Sequence, residues 1–355
     1  MPPRRRRLLG AAVVAPAIVA IVVGFVVAQG SAAAPTFESV TEYLTQQRPH
    51  PPGATAVSSA DGFVRAVARA RAGQTIVVAP GVKIPGEFKG FNRVVRGGTV
   101  NVVFKGDSGF TGDAGSQLPA VWLRRSGGWR IWGGTITNPD GFGILVNAMP
   151  GPVVWTGFTV KDTGDSCVAV YPADGDIDRL TLKGVAGTAD PNLAWDPHAE
   201  KGTGQHAWNI ADADGGLVEN STFATDTVDQ ATGAAVSIDT GQIGPNVTVY
   251  ARAYHVGFAI PGTSWTGDAR YQVAGNVVQL WGASLPGSLD IAYVEGDDIQ
   301  GRLLDTTGVD PGANLSGVHV DLGRATGPIL QNPLLSRIAY DTAGGIVLGN
   351  VTPRP

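Results

Sequence analysis

Two stretches of this chain superpose on one another. ITNPDGFGILV (136–146) laid on VKDTGDSCVAV (160–170) matches Ile136 with Val160, Ile144 with Val168 and Val146 with Val170. Upstream, Trp132-Gly133-Gly134 and Trp155-Thr156-Gly157 lie at nearly the same offset. An apolar pattern that returns after about 24 residues suits one coil of a solenoid, where inward side chains are buried on the coils above and below. Similar β-prone runs recur as VNVVF, AVWLRR, RLTLKGV, AAVSI, VTVYARAYHV, LDIAYV and GGIVLGNV. A two-sheet sandwich also uses many short strands, but it has no need of a helix ahead of them. Here DGFVRAVARARAG predicts one, with Phe63, Val64, Val67 and Ala68 on a single face, Asp61 at its start and Gly73 at its end. Such a helix would cap the exposed end of a solenoid.

Composition agrees. Fifty glycines and only two methionines among 355 residues point to a turn-rich β architecture. Cys167 is the only cysteine, so no internal disulfide forms, and stability has to come from a large core or from repeated contacts. Arg4 to Arg7, the apolar run Leu8 to Ala28 and the small residues of AQGSAAAP follow the order of a secretory signal, so residues 1–34 are expected to be a signal peptide or an uncleaved anchor. Residues 35–55, with Pro49, Pro51 and Pro52, read as a lead-in, and 56–350 as the folded domain. The chain is expected to be exported, touching a membrane only if the leader stays attached. A net charge of −4 without a basic patch disfavours a nucleic-acid partner.

The order of amphipathic helix, GQTIVVAPG and then stacked short strands resembles the opening of the pectate-lyase-like superfamily. That resemblance implies an all-β fold: a single-stranded right-handed parallel β-helix with a short N-terminal capping helix. A long sheet face bordered by loops matches an extended polysaccharide or cell-surface glycan better than a compact metabolite. Each of the eight tryptophans is either a platform for a sugar ring or a member of the core stack, and Trp195 and Trp208 stand nearest the most polar segment.

Two places carry candidate chemistry. In the superposed coils Asn138 and Asp140 fall in one turn, and Asp162 and Asp165 in the next, about 4.8 Å away. Carboxylates one or two such spacings apart suit acid–base cleavage of a glycosidic bond. NPDGFGI followed by TGDSCVAV resembles the stacked motifs of polygalacturonase-family glycoside hydrolases. That resemblance implies Asp140 and Asp165 as catalytic carboxylates with Asp162 beside the substrate. Ser166 and Pro139 depart from the family pattern.

The second place is WDPHAEKGTGQHAWNIAD (195–212), an interruption of the β repeat dense in ionisable groups: Asp196, His198, Glu200, Lys201, His206 and Asp212. Its Asp-Pro-His resembles the active-site element of mannuronan C-5 epimerases and related alginate-acting β-helices. The resemblance implies His198 as a base at a uronate C5, with Asp196 in the same site and Lys201 or Arg252 neutralising the carboxylate. Alternation along the following strand favours His206 and Trp208 on the outer side, with Ala207, Asn209 and Ala211 inside. Both places are expected to share one cleft whose activity changes between about pH 5 and 8 as an imidazole titrates. No cofactor is required. Asp174, Asp176 and Asp178 in DGDID are offered to a calcium ion, and His198 with His206 and a carboxylate to zinc, neither with a complete ligand pattern.

The expected function is that of an exported carbohydrate-active enzyme, first as a glycoside hydrolase with paired carboxylates. The alternatives are a lyase or C5-epimerase acting on a uronate polymer through the Asp-Pro-His loop, and a non-catalytic glycan-binding β-helix.

Overall fold

The computed structural model describes residues 53–186, 206–212, 215–227, 234–256, 276–299 and 303–320, with the short strands Leu330–Gln331, Ile338–Tyr340 and Ile346–Leu348. They form the right-handed parallel β-helix expected from the sequence. One long sheet stacks Thr55–Val57, Thr75–Val78, Val100–Phe104, Trp129–Trp132, Val153–Thr163, Leu180–Ala186, Thr222–Thr227, Val247–Val256, Leu289–Ile299 and Val318–Val320. A second sheet stacks Val121–Arg124, Ile144–Asn147, Val168–Val170, Trp208–Ile210, Val236–Asp239, Val278–Gly282, Leu304–Val309 and Leu330–Gln331. A narrow third flank pairs Ile177–Asp178 with Val218–Glu219. Antiparallel pairing among the described residues is confined to the C-terminal end, where Ile346–Leu348 lies between Val318–Val320 and Ile338–Tyr340.

The register matches the sequence superposition at its apolar positions. Val160 pairs with Ile136, Val168 with Ile144 and Val170 with Val146, and all six are fully buried. The tryptophans are displaced by one position. Trp155 pairs with Ile131 and points inward, whereas Trp132 pairs with Thr156 and is partly exposed. Because side chains alternate with period two, a one-residue offset moves a ring from core to surface.

The helix is Ala60–Arg69. Ser59, not Asp61, caps it by accepting from the Gly62 N–H at 3.2 Å, and it ends at Ala70 before Gly73 is reached. Its buried residues are Phe63 and Val67, while Val64 is 47% exposed and Ala68 faces water. Phe63 closes the solenoid end by packing on Phe88, Phe91, Phe104 and Phe110 at centroid distances of 5.3–6.2 Å. That one large ring needs only a narrow contact face, which explains why the wider apolar stripe read from the sequence is not used.

Corners between the third flank and the long sheet place Arg179, Asn220 and Asn246 at φ of 57°, 47° and 58°. The two asparagines tolerate this left-handed conformation and link the coils. Asn246 Nδ2 donates to Asn220 Oδ1 at 2.8 Å, and Asn220 Nδ2 to Asp178 Oδ1 at 3.0 Å.

Candidate functional site

On the outer face of the second sheet one row runs from coil to coil, with Trp122, Leu145 and Gln279 partly exposed and Ala169, Asn209, Ser237 and Asp305 buried. Trp122, Leu145, Ala169, Asn209, Ser237, Gln279 and Asp305 are backbone partners in sequence, and the residues flanking them point into the core. Hydrogen bonds tie the first part of this face together. Trp122 Nε1 donates to Asn147 Oδ1 at 2.6 Å, and Asn147 Nδ2 donates to the Tyr171 carbonyl at 2.8 Å. Asn209 Nδ2 then donates to the Tyr171 hydroxyl at 3.0 Å and to Asp212 Oδ2 at 2.8 Å. Asn209 Oδ1 is buried with no hydrogen-bond partner among the described residues.

Two carboxylates bear on one phenol. Burial pushes the Tyr171 hydroxyl well above the ordinary tyrosine range, and the carboxylates of Asp212 and Asp165 push it further, against the Asn209 hydrogen bond. Tyr171 therefore stays protonated and available as a donor. Asp212 is itself raised by burial, partly offset by Asn209. Cys167, in the same coil, is raised to about 12 by burial and is no nucleophile.

The turns carrying Asp140 and Asp165 are stacked as expected. A side chain at Gly164 would come within 2.5 Å of the Pro139 carbonyl and 2.6 Å of the Asp140 Cα, so that contact requires glycine. Both carboxylates are engaged with backbone: Asp140 Oδ2 accepts from the Gly115 N–H at 2.5 Å, and Asp165 Oδ1 from the Ser166 N–H at 2.6 Å. Asn138 is buried and donates to the Leu118 and Phe142 carbonyls. Asp162 sits at a bulge with φ 53°, where the pairing shifts register between Lys161 and Thr163. The structure thus brings Asp165 near Tyr171 and ties Asp140 to the turn of the preceding coil.

The expected register of the strand after His206 is reversed. Trp208 and Ile210 are fully buried in the core, and Trp208 packs on Phe158 and Phe223 at 6.0 and 6.3 Å. Filling the interior with an indole outweighs stacking a polar amide there, so Asn209 faces outward and Trp208 is no sugar platform. His206 Nδ1 accepts from the Ala234 N–H at 3.0 Å, and burial lowers the imidazole to about 4. It is therefore neutral between about pH 5 and 8 and does not supply the expected inflection. Instead it makes folding acid-sensitive. Between pH values near 6.5 and 4 the unfolded chain takes up a proton that the folded one refuses, so stability present above that window is lost as pH falls through it. His206→Asn, which retains an acceptor for Ala234, should remove on the order of 2 kcal/mol of that loss. Urea midpoints at pH 7 and pH 4 check it; an unchanged difference between them would assign the acid sensitivity elsewhere.

Arg252 stands on the long sheet, paired in register with Asp226 and Glu295, and so belongs to a different sheet from Asn209 and Trp122. Trp195, Asp196, His198, Glu200 and Lys201 lie outside the described residues, as does the leader segment. The DGDID carboxylates are committed to protein partners: Asp174 to Arg124, Asp176 to the Leu217 N–H, and Asp178 to Arg179 and Asn220. Among the described residues no cluster of three or more His, Cys, Asp or Glu is placed to hold a metal.

The sequence reasoning passed over Tyr171 and left Asp212 without a role. Tyr171 directly follows the superposed Val170, and Asp212 closes the polar stretch already singled out, so a signal was present for both. It also passed over Lys183, which is buried on the long sheet, with its ammonium lowered by burial to about 8. Lys183 belongs to a row running from Trp132 and Thr156 through Ala224 to Tyr250.

No protein-family model matches the chain, and no curated protein does. Among solved structures it is similar to an alginate lyase from Paenibacillus sp. str. FPU-7, at 17% identity and a TM-score of 0.38, covering 79% of this chain and 98% of that one. A mutant of the PL6-family alginate lyase AlyGC matches at 10% identity and a TM-score of 0.24, over 84% of this chain and 55% of that one. Neither match indicates which residues act.

Proposed function

We propose that the protein is an exported enzyme that processes a uronate polysaccharide on the outer face of the second sheet, by lyase or C5-epimerase chemistry. The observation that carries this is Tyr171, a phenol kept protonated by burial and by Asp212 and Asp165, and oriented by Asn209. Elimination requires removal of the C5 proton and donation of a proton to the departing glycosidic oxygen. Tyr171 is protonated at neutral pH and its hydroxyl accepts from Asn209 Nδ2, so its own O–H is the group that would protonate the departing oxygen, although burial makes it a weaker acid than an ordinary tyrosine. His198, the base suggested by the sequence, belongs to the segment that runs directly into His206 and this sheet. In an epimerase the same donor would return a proton to the opposite face of C5.

Hydrolysis by Asp140 and Asp165 has less support, because each of these carboxylates accepts a hydrogen bond from a turn N–H. The experiment is to incubate the mature protein with a panel of polyuronates and neutral polysaccharides. The absorbance of an unsaturated uronate, or inversion at C5 seen by NMR, is the expected product signature. New reducing ends without either would establish hydrolysis, and retention without any product would establish a binding protein. On the substrate so identified, Asp165→Asn should keep turnover within a few-fold of the parent, since the amide still accepts from Ser166. A loss of a hundredfold or more would make Asp165 a general acid or base.

A further inference from the structure

The net charge of −4 conceals a division along the chain. Residues 53–130 carry eleven Lys and Arg against four Asp and Glu, whereas residues 131–355 carry ten against twenty-four. The arginines of the first part are spread from 65 to 130, so no patch is visible in the sequence, but the coils gather them at one end of the solenoid. Arg65 and Arg69 lie one turn apart on the outer face of the Ala60–Arg69 helix, beside Val64 and Ala68, and all four are exposed. Arg71 follows the helix, and Arg96 stands at the corner stacked on it, where the Gly73 N–H donates to the Thr99 carbonyl at 2.7 Å. Arg130, in the next coil, is paired through Asn101 with Thr75. Arg71, Arg96 and Arg130 are thus set within two coil spacings of one another, about 10 Å along the axis.

Lys83, Lys89, Arg124 and Arg179 each hold an acid, but among the described residues Arg65, Arg69, Arg71, Arg96 and Arg130 have no ion pair. Cations in the last turn of a helix commonly serve the helix itself, by meeting its free carbonyls. Here Arg93 already does so, its Nη2 donating to the Val67 and Ala70 carbonyls at 3.0 and 2.7 Å. Arg69 and Arg71 are therefore not needed by the helix and point their charge at what lies beyond it. The chain also enters the fold at this end, because Thr55–Val57 is the terminal strand of the long sheet. Residues 1–34, with Arg4 to Arg7 ahead of an apolar run, read as a leader, so any tether they supply is attached here.

We propose that the N-terminal end of the solenoid, formed by the outer face of the helix with Arg71, Arg96 and Arg130 beside it, is a docking surface for the anionic lipid headgroups of a membrane. An exposed helix face that mixes Val64 and Ala68 with Arg65 and Arg69 has the composition of one that lies against headgroups. Each arginine brought near such a surface strengthens binding several-fold, while the acidic remainder of the chain is repelled by it. Attraction at one end and repulsion elsewhere hold the solenoid axis upright on the membrane, with Tyr171 and Asp212 further out along it. This docking is independent of which polysaccharide the protein processes.

The test is co-flotation of the full chain with vesicles of phosphatidylcholine alone and with vesicles in which about a third of the lipid is phosphatidylglycerol. An apolar leader binds both kinds alike, so the readout is the ratio between them. The ratio should favour the anionic vesicles at low salt and fall toward one as salt is raised. Arg65→Gln with Arg69→Gln should reduce it on the order of tenfold, and Arg65→Lys with Arg69→Lys should preserve it. Lys161→Gln, which removes an exposed cation from the flank of the solenoid, should leave it unchanged. Equal binding to the two kinds of vesicle, or a preference that survives the double glutamine variant, would overturn the proposal. An equal loss in Lys161→Gln would also overturn it, since net charge rather than one surface would then be responsible. Retention on immobilised polygalacturonate through the same arginines, without a lipid preference, would overturn it as well and assign this end to a glycan.

Discussion

Trp155→Ala is expected to cost about 3–5 kcal/mol of folding stability. The ring is fully buried among Phe91, Phe110 and Phe158 at centroid distances of 6.2, 6.1 and 5.6 Å. Its Nε1 donates to the Gly133 carbonyl at 2.9 Å, so truncation opens a cavity and also leaves a buried acceptor unpaired. In a solenoid each coil rests on its neighbours, and a cavity in one coil weakens the stacking of two. Trp132→Ala is the control, because Trp132 lies at nearly the same repeat position but points outward; it should cost no more than about 1 kcal/mol. Denaturant midpoints of the two variants check the contrast. Equal losses would mean that the two rings share an environment and that the register is wrong.

Tyr171→Phe is expected to reduce turnover a hundredfold or more on the polyuronate that the protein processes. Phenylalanine keeps the ring and its edge-on contact with Phe142 at 5.9 Å, so packing is preserved. What is lost is a hydroxyl that stays protonated across the working pH range. Asn209 keeps its second hydrogen bond to Asp212, so the stability cost should be about 1 kcal/mol. Steady-state kinetics should place the loss in kcat, since donation to the leaving oxygen belongs to the transition state. A variant with a raised KM and unchanged kcat would instead make Tyr171 a binding residue.

The coil was legible because burial leaves a period. Ile136 with Val160 and Val146 with Val170 could be paired by eye, since every coil must bury the same positions. The phase of a strand is harder to read where both of its faces carry credible residues. At 206–211 a small polar interior and an aromatic one were both reasonable, and packing of Trp208 against Phe158 and Phe223 selected the second. Trp132 and Trp155 show the same limit, a single-residue offset that spacing alone does not resolve.

The site was legible only in part, for a related reason. Asp140 and Asp165 were found because they recur in stacked turns, yet recurrence is also what a turn-forming carboxylate produces, and hydrogen bonds to Gly115 and Ser166 are the result. Tyr171, Asn209 and Asp212 recur nowhere. They meet because Asn209 turns outward and reaches two groups, one of them Tyr171, 38 residues away in sequence. Such a junction depends on strand phase. Lys183 was passed over because a lone lysine in a strand carries no motif, and only its burial marks it.

The central claim is that sugar binds along the second sheet. The crystal structure of the Tyr171→Phe protein with a bound uronate hexamer tests it most directly. The account predicts sugar density over the second sheet beside Tyr171 and Asp212, with a glycosidic oxygen within hydrogen-bond reach of the position the Tyr171 hydroxyl vacates. Density on the long sheet instead, beside Lys183, Tyr250 and Arg252, would contradict it and move the chemistry to the other face of the coil.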